Sequence, residues 1–227
     1  MSFVFEPPSR PGVAVDGGGV FPVRRVFCIG RNYADHVREM GGDPKSSAPV
    51  FFTKPADAVV GEGETIPYAQ ATTNLHFEGE LVVALGGGGK DLASEDAAAA
   101  LIYGYAAGCD LTRRDHQARA KEAGGPWDTA KAFDHSAPIG AIVKADEIDL
   151  SSARLKSSVN DETRQDVMLD QMIWPVPEII IALSEQFELK PGDLVFTGTP
   201  EGVGPLAPGD RIEIAIGDRL GLNFKIG

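Results

Sequence analysis

Residues 77 to 85, F-E-G-E-L-V-V-A-L, narrow what this chain can fold into more than any other stretch. Leu81, Val83 and Leu85 alternate with Val82 and Ala84, the composition of a strand lying near a core. Its head nevertheless carries Glu78 and Glu80, which a strand would point to one face. Neighbouring carboxylates repel each other and desolvate at a cost. The fold must therefore solvate these two groups or surround them with cations.

The rest of the chain sets that strand in a β-rich context. Strand-like segments lie at 20 to 30, 49 to 55, 103 to 110 and 194 to 198, and two alternating strands close the chain after Pro208-Gly209. Asn160-Asp161-Glu162 separates two more, as a hairpin. Helices are expected at 32 to 40 with Asn32 as cap, at 94 to 103 with Ser94 as cap, at 113 to 123, and at 176 to 187. Strands outnumber helices and do not alternate with them, which argues for a β-rich α+β domain and against a doubly wound sheet. Residues 1 to 24 read as an N-terminal arm and 25 to 227 as one domain. G-G-G-G-K, 86 to 90, is followed by Asp91 and lacks the upstream Gly of a phosphate-binding loop.

A net charge of −12 argues against nucleic acid or an anionic membrane as partner. No apolar run reaches membrane-spanning length, and Glu6, Pro7 and Pro8 interrupt any secretory pattern at the start. Cys28 and Cys109, far apart and in apolar surroundings, read as buried free thiols of a cytoplasmic protein.

Three further segments bear on chemistry. Asp110 ends the apolar run G-Y-A-A-G-C-D, and with Glu78 and Glu80 would make a three-carboxylate set. Such a set with waters suits Mg²⁺ or Mn²⁺, with ligands at about 2.0–2.1 Å for Mg²⁺, and Ca²⁺ can substitute in crystals. His76 is expected on the same face. His36 and Glu39 are three apart on a short helix, a spacing that lets a carboxylate orient an imidazole general base, though such pairs also occur on ordinary surfaces. Lys131 stands between Trp127 and Phe133, either snorkelling to the surface or holding a substrate carboxylate or oxyanion. T-G-T-P-E-G-V-G, 197 to 204, is either a tight turn or a rim of hydroxyl and N–H donors for an anion.

In order along the chain, G-R-N-Y-A-D-H-V-R-E-M, K-P-A-D-A, H-F-E-G-E, G-Y-A-A-G-C-D-L-T-R-R-D, P-W-D-T-A-K-A-F-D and P-G-D-L-V-F-T-G-T-P-E-G-V-G resemble the signature blocks of the fumarylacetoacetate hydrolase family, from about Arg25 to the C-terminus. That resemblance implies a mixed-sheet β-roll enclosing the active site, in a protein that is commonly a homodimer. It implies Glu78, Glu80 and Asp110 as metal ligands, and His36 with Glu39 as a water-activating dyad on a lid helix. Lys131 matches the active-site lysine, Gln117 and Thr199 match substrate contacts, and Arg31 is a candidate for a substrate carboxylate. Within the family the chain is most similar to short acylpyruvate hydrolases, including those that cleave fumarylpyruvate in aromatic-compound catabolism. The expected activity is metal-dependent hydrolysis of a carbon–carbon bond in a 2,4-dioxo acid. Oxaloacetate decarboxylation, oxo-acid hydration or isomerisation, and non-catalytic ligand binding are the alternatives. A fumaryl tail needs a second anion site, for which Arg31, Arg38, Arg113 and Arg114 are candidates.

Overall fold

The computed structural model describes residues 3–39 and 49–227. Its centre is a six-stranded sheet in the order Val143–Lys144, Ile102–Cys109, Gly79–Leu85, Asp193–Phe196, Arg25–Gly30 and Val50–Lys54. Asp193–Phe196 runs parallel to Arg25–Gly30, and the other pairings are antiparallel. All seven residues of Gly79–Leu85 are buried, because this sheet is covered on both faces.

The period of two divides its side chains between two cores. Val26, Cys28, Val82, Ala84, Leu194 and Phe196 face one way. Phe27, Ile29, Val83, Leu85 and Val195 face the other, under Ile179, Ile180 and Leu183 of the Val176–Gln186 helix. The first face is closed by the hairpin of Gly12–Ala14 and Val20–Pro22, whose Val13 and Phe21 are buried there.

A five-stranded sheet packs beside it, ordered Glu162–Met168, Arg154–Val159, Arg211–Ile216, Leu220–Ile226 and Thr65–Ile66. In Arg211–Ile216 and Leu220–Ile226 burial alternates strictly, with Ile212, Ile214, Ile216, Leu222, Phe224 and Ile226 turned inward. Asn160 and Asp161 both have positive φ, 51° and 67°, as a two-residue hairpin turn of the right twist requires. The mixed sheets and short helices make this a β-rich α+β fold, as expected. Both cysteines are buried and free.

Four local expectations need correction. The strand over 20 to 30 is two strands, since Pro22 offers no ladder N–H and Val20–Pro22 belongs to the N-terminal hairpin. Ser94 does cap a helix, accepting from the Ala97 N–H, but the helix covers only Glu95–Ala99, because Ile102 is drawn into the sheet opposite Leu85. Asn32 does not cap the Ala34–Glu39 helix. Its amide donates to the carbonyls of Trp174 and Thr197 and accepts from the Trp174 N–H, pinning the loop instead. The strand expected over 77 to 85 is broken at Glu78, with consequences for the site.

Candidate active site

Two neighbouring chain segments leave one sheet and enter another at the same level. Gly79–Leu85 and Ile102–Cys109 pair in the central sheet, with Gly79 opposite Cys109. Just beyond that pair, Leu75–Phe77 and Thr112–Arg113 pair in a separate three-stranded sheet completed by Gly204–Pro205. Glu78 and Asp110 stand at the two crossing points, and the Asp110 N–H donates to the Glu78 carbonyl at 2.9 Å. The crossing breaks the period of two, so His76 does not stand with the carboxylates. It is half-buried and turned to Asn74 Oδ1 at 2.9 Å and Arg114 Nε at 3.4 Å. Glu80 follows inside the strand, and the Gly198 N–H donates to its Oε2 at 2.8 Å. Gly198 has φ of 95°, and a Cβ there would lie 2.8 Å from Asn32 Cβ, so the turn that aims this N–H needs glycine.

Glu78, Glu80 and Asp110 are buried and offer carboxylate oxygens within 4.8 Å of one another. Cations gather around them unevenly. Lys131 Nζ donates to Glu78 Oε2 at 2.8 Å, Asp110 Oδ2 at 2.5 Å and Thr112 Oγ1 at 2.6 Å. Arg114 Nη2 donates to Glu78 Oε1 at 2.6 Å, and Lys54 Nζ lies 2.8 Å from Asp110 Oδ1. Burial alone would raise the Glu78 pKa, but Lys131 and then Arg114 hold it well below the usual carboxylate range. Glu80 is pushed well above that range by burial, then by the charges of Asp110 and Glu78. Among the described residues it has no cationic partner within ion-pair distance.

Glu78, Glu80, Asp110, Lys131 and Arg114 line a cavity of about 140 Å³. Also on its wall are His36, Arg31, Gln117 and Thr199, so the structure brings together every predicted site residue except Glu39. Glu39 ends the Ala34–Glu39 helix, and its side chain lies outside the described residues. His36 is buried. Gln117 Oε1 accepts from Arg114 at 2.6 Å. Thr199 donates to the Gly79 carbonyl at 2.9 Å, so its hydroxyl proton is committed to the scaffold.

Sequence reasoning missed Lys54, Lys121 and Gln165. Lys54 is fully buried beneath Asp110 and donates to the Leu111 and Lys131 carbonyls. Its position in the strand before Pro55 was the available clue. Lys121 and Trp127 line the cavity mouth. Gln165, in the second sheet, accepts from the Gly79 N–H at 3.0 Å and donates to Thr199 Oγ1 at 2.8 Å, joining the two sheets behind the carboxylates.

Residues 25–225 match the family described as Fumarylacetoacetate (FAA) hydrolase C-terminal. The chain belongs to this family. A fumarylpyruvate hydrolase of Ralstonia sp is 45% identical over 162 residues, 71% of this chain and 84% of that protein. The mitochondrial oxaloacetate tautomerase FAHD1 of Mus musculus is 42% identical over 204 residues, 89% of this chain and 91% of that one. The crystal structure of fumarylpyruvate hydrolase from Pseudomonas aeruginosa, in complex with Mn²⁺ and pyruvate, superposes with a TM-score of 0.96 at 46% identity, covering 99% of each chain. This member of the fumarylacetoacetate hydrolase family therefore has relatives named for hydrolysis and for tautomerisation.

Its donor set fits a hard divalent cation. Asp110 Oδ1 is buried, and no donor points at it along a hydrogen-bond line, although Lys54 is close. Glu80 has acceptor capacity beyond the single Gly198 N–H. Unmet carboxylate oxygens in a dry site are what Mg²⁺ or Mn²⁺ satisfies. Among the described residues no helix is long and apolar enough to cross a membrane.

Proposed function

We propose that this protein hydrolyses the C3–C4 bond of acylpyruvates, with fumarylpyruvate as the favoured substrate. The observation that carries the reading is the placing of buried His36, the three-carboxylate cluster and Lys131 around one cavity. Glu78, Glu80 and Asp110 would hold a divalent cation, Mg²⁺ or Mn²⁺. Bound there, it supplies Lewis-acid stabilisation of negative charge on a 2-oxo acid and its enolate.

The chain's own residues supply the rest. His36 takes a proton from water at a ring nitrogen, and the hydroxide adds to the C4 carbonyl. Collapse breaks the C3–C4 bond, releasing the acyl group as a carboxylate and leaving the electron pair as pyruvate enolate. The proton taken up by His36 is returned at C3, which completes pyruvate and restores the base. Glu39, three residues on along the same helix, would orient His36. Lys131 is held charged: burial would lower its pKa, but Asp110 and Glu78 raise it. Its fixed ammonium sits beside the developing oxyanion. The burial of His36 and the triad keeps bulk water away from the enolate.

The relationship to oxaloacetate tautomerases favours a second reading, in which the same cavity moves a proton between C3 and the enol oxygen without activating water. One assay separates them. Ultraviolet absorbance of enolised acetylpyruvate and fumarylpyruvate is followed with Mn²⁺ and with EDTA. Metal-dependent decay with stoichiometric pyruvate supports hydrolysis. No decay, together with accelerated keto–enol exchange of oxaloacetate, gives the second reading.

A further inference from the structure

The cavity has cations that the chemistry above leaves unused. Of the basic residues near it, Arg114 is committed to Glu78 and Gln117, and Lys131 to Glu78 and Asp110. Arg113 turns away, donating to the Thr129 carbonyl with its guanidinium 4.4 Å from the Phe133 ring centre. Arg38 pairs with Asp35 on the exposed side of its helix. Arg31 and Lys121 differ: both line the cavity, and among the described residues neither has an ion pair.

Both are built into position. Arg31 has φ of 65°, a left-handed conformation uncommon for a residue with a side chain. Backbone of that kind persists where its surroundings over-determine it. Here Asn32 does so, through three side-chain hydrogen bonds to Trp174 and Thr197. Lys121, in the last turn of the Arg114–Ala123 helix, lies with Nζ 5.5 Å from the Trp127 ring centre. Lys121 is held below the ordinary lysine range first by partial burial, then by the positive charges of Arg114 and Arg31. Like charges crowded on one wall repel, and an anion among them relieves the repulsion.

Depth gives the wall its direction. The carboxylate cluster is buried, whereas Arg31 and Lys121 are exposed at the mouth. A 2-oxo acid held at the floor therefore projects its far end toward them.

We infer that Lys121 and Arg31 form a distal-carboxylate subsite that selects dicarboxylic 2-oxo acids over those ending in a methyl group. This rests on the acylpyruvate reading for its natural substrate. The chemistry recognised, a terminal carboxylate on a short chain, is independent of the cleavage step.

The test uses two ligand pairs: the first differs in chain length and unsaturation as well as in its far end, and the second, of equal length, differs only there. Fumarylpyruvate and acetylpyruvate are compared by kcat/KM. 2-Oxoheptanedioate and 2-oxoheptanoate, which have no 4-oxo group to attack, are compared by calorimetric Kd on Mn²⁺-loaded protein. The wild type should prefer the dicarboxylate of each pair. Lys121→Met, and Lys121→Gln as a second neutral variant, should cut that preference at least about tenfold, the loss expected for a hydrogen bond between charged groups. Lys121→Arg should retain it. An unchanged preference in the neutral variants, or none in the wild type, overturns the subsite. If the wild type cleaves neither acylpyruvate, the hydrolase reading falls and the Kd ratio alone decides the subsite.

Discussion

The cavity and the outer face of the five-stranded sheet use the same residue types to opposite ends. On the sheet, Arg154 pairs with Asp166, Arg164 with Glu162, and Arg211 with Asp161 and Glu213, all partly or largely exposed. Water screens these pairs, and each is worth about 0–1 kcal/mol. At and beneath the cavity floor, Lys54, Lys131 and Asp110 are buried and interlocked. There a single deletion strands an uncompensated charge. An ion pair's weight is thus decided by what surrounds it, and functional charge is recognised by burial that packing alone does not require.

The strongest way to break this contrast is Asp110→Ala, which leaves Lys54 and Lys131 facing no aspartate. We expect a loss of about 3–5 kcal/mol in urea unfolding, together with loss of Mn²⁺ binding by calorimetry. A loss below about 1 kcal/mol would place the cavity with the surface pairs.

His36→Ala should lower turnover of the acylpyruvate by about 10²–10⁴-fold while Mn²⁺ affinity stays within error, since His36 is outside the carboxylate cluster. Retained turnover would remove its role as base. Gln165→Leu sharpens the contrast from the neutral side. It removes the partners of the Gly79 N–H and the Pro200 carbonyl, and should cost about 1–3 kcal/mol with a raised KM.

His76 gives a pH test. Arg114 is only a donor, so His76 Nδ1 accepts and the neutral ring carries its proton on Nε2. Burial, then the charge of Arg114, lower its pKa from 6.5 to about 4. The unfolded chain then takes up a proton below pH 6.5 that the folded protein refuses until about pH 4. The associated stability is present above 6.5 and is lost as pH falls through that window. In metal-free protein, His76→Gln should flatten this part of the Tm–pH curve, and an unchanged curve would show that the ring is not held neutral. The smallest effect is expected for Arg211→Ala on the exposed sheet, within about 0.5 kcal/mol by urea unfolding.

Most of the element types were legible along the chain, because period-two alternation and capping are local. Leu220–Ile226, the Asn160-Asp161 turn and the Ser94 cap follow from neighbours a few residues away. The family motifs also carried Glu78, Glu80, Asp110, His36 and Lys131 into one expected site. The errors lay where tertiary contacts overruled local preference, as when Asn32 gave up a helix cap for Trp174 and Thr197.

Spacing alone could not have joined Glu78 to Asp110. They are adjacent because Gly79 pairs with Cys109 and both chains then cross into a second sheet, a matter of register between distant segments. Nor does a lysine before a proline announce that Lys54 will lie beneath an aspartate. Residue type and pattern determined which groups this chain brings to chemistry. Their charge state, their partners and the opening they face were decided only when long-range strand pairing excluded water from them.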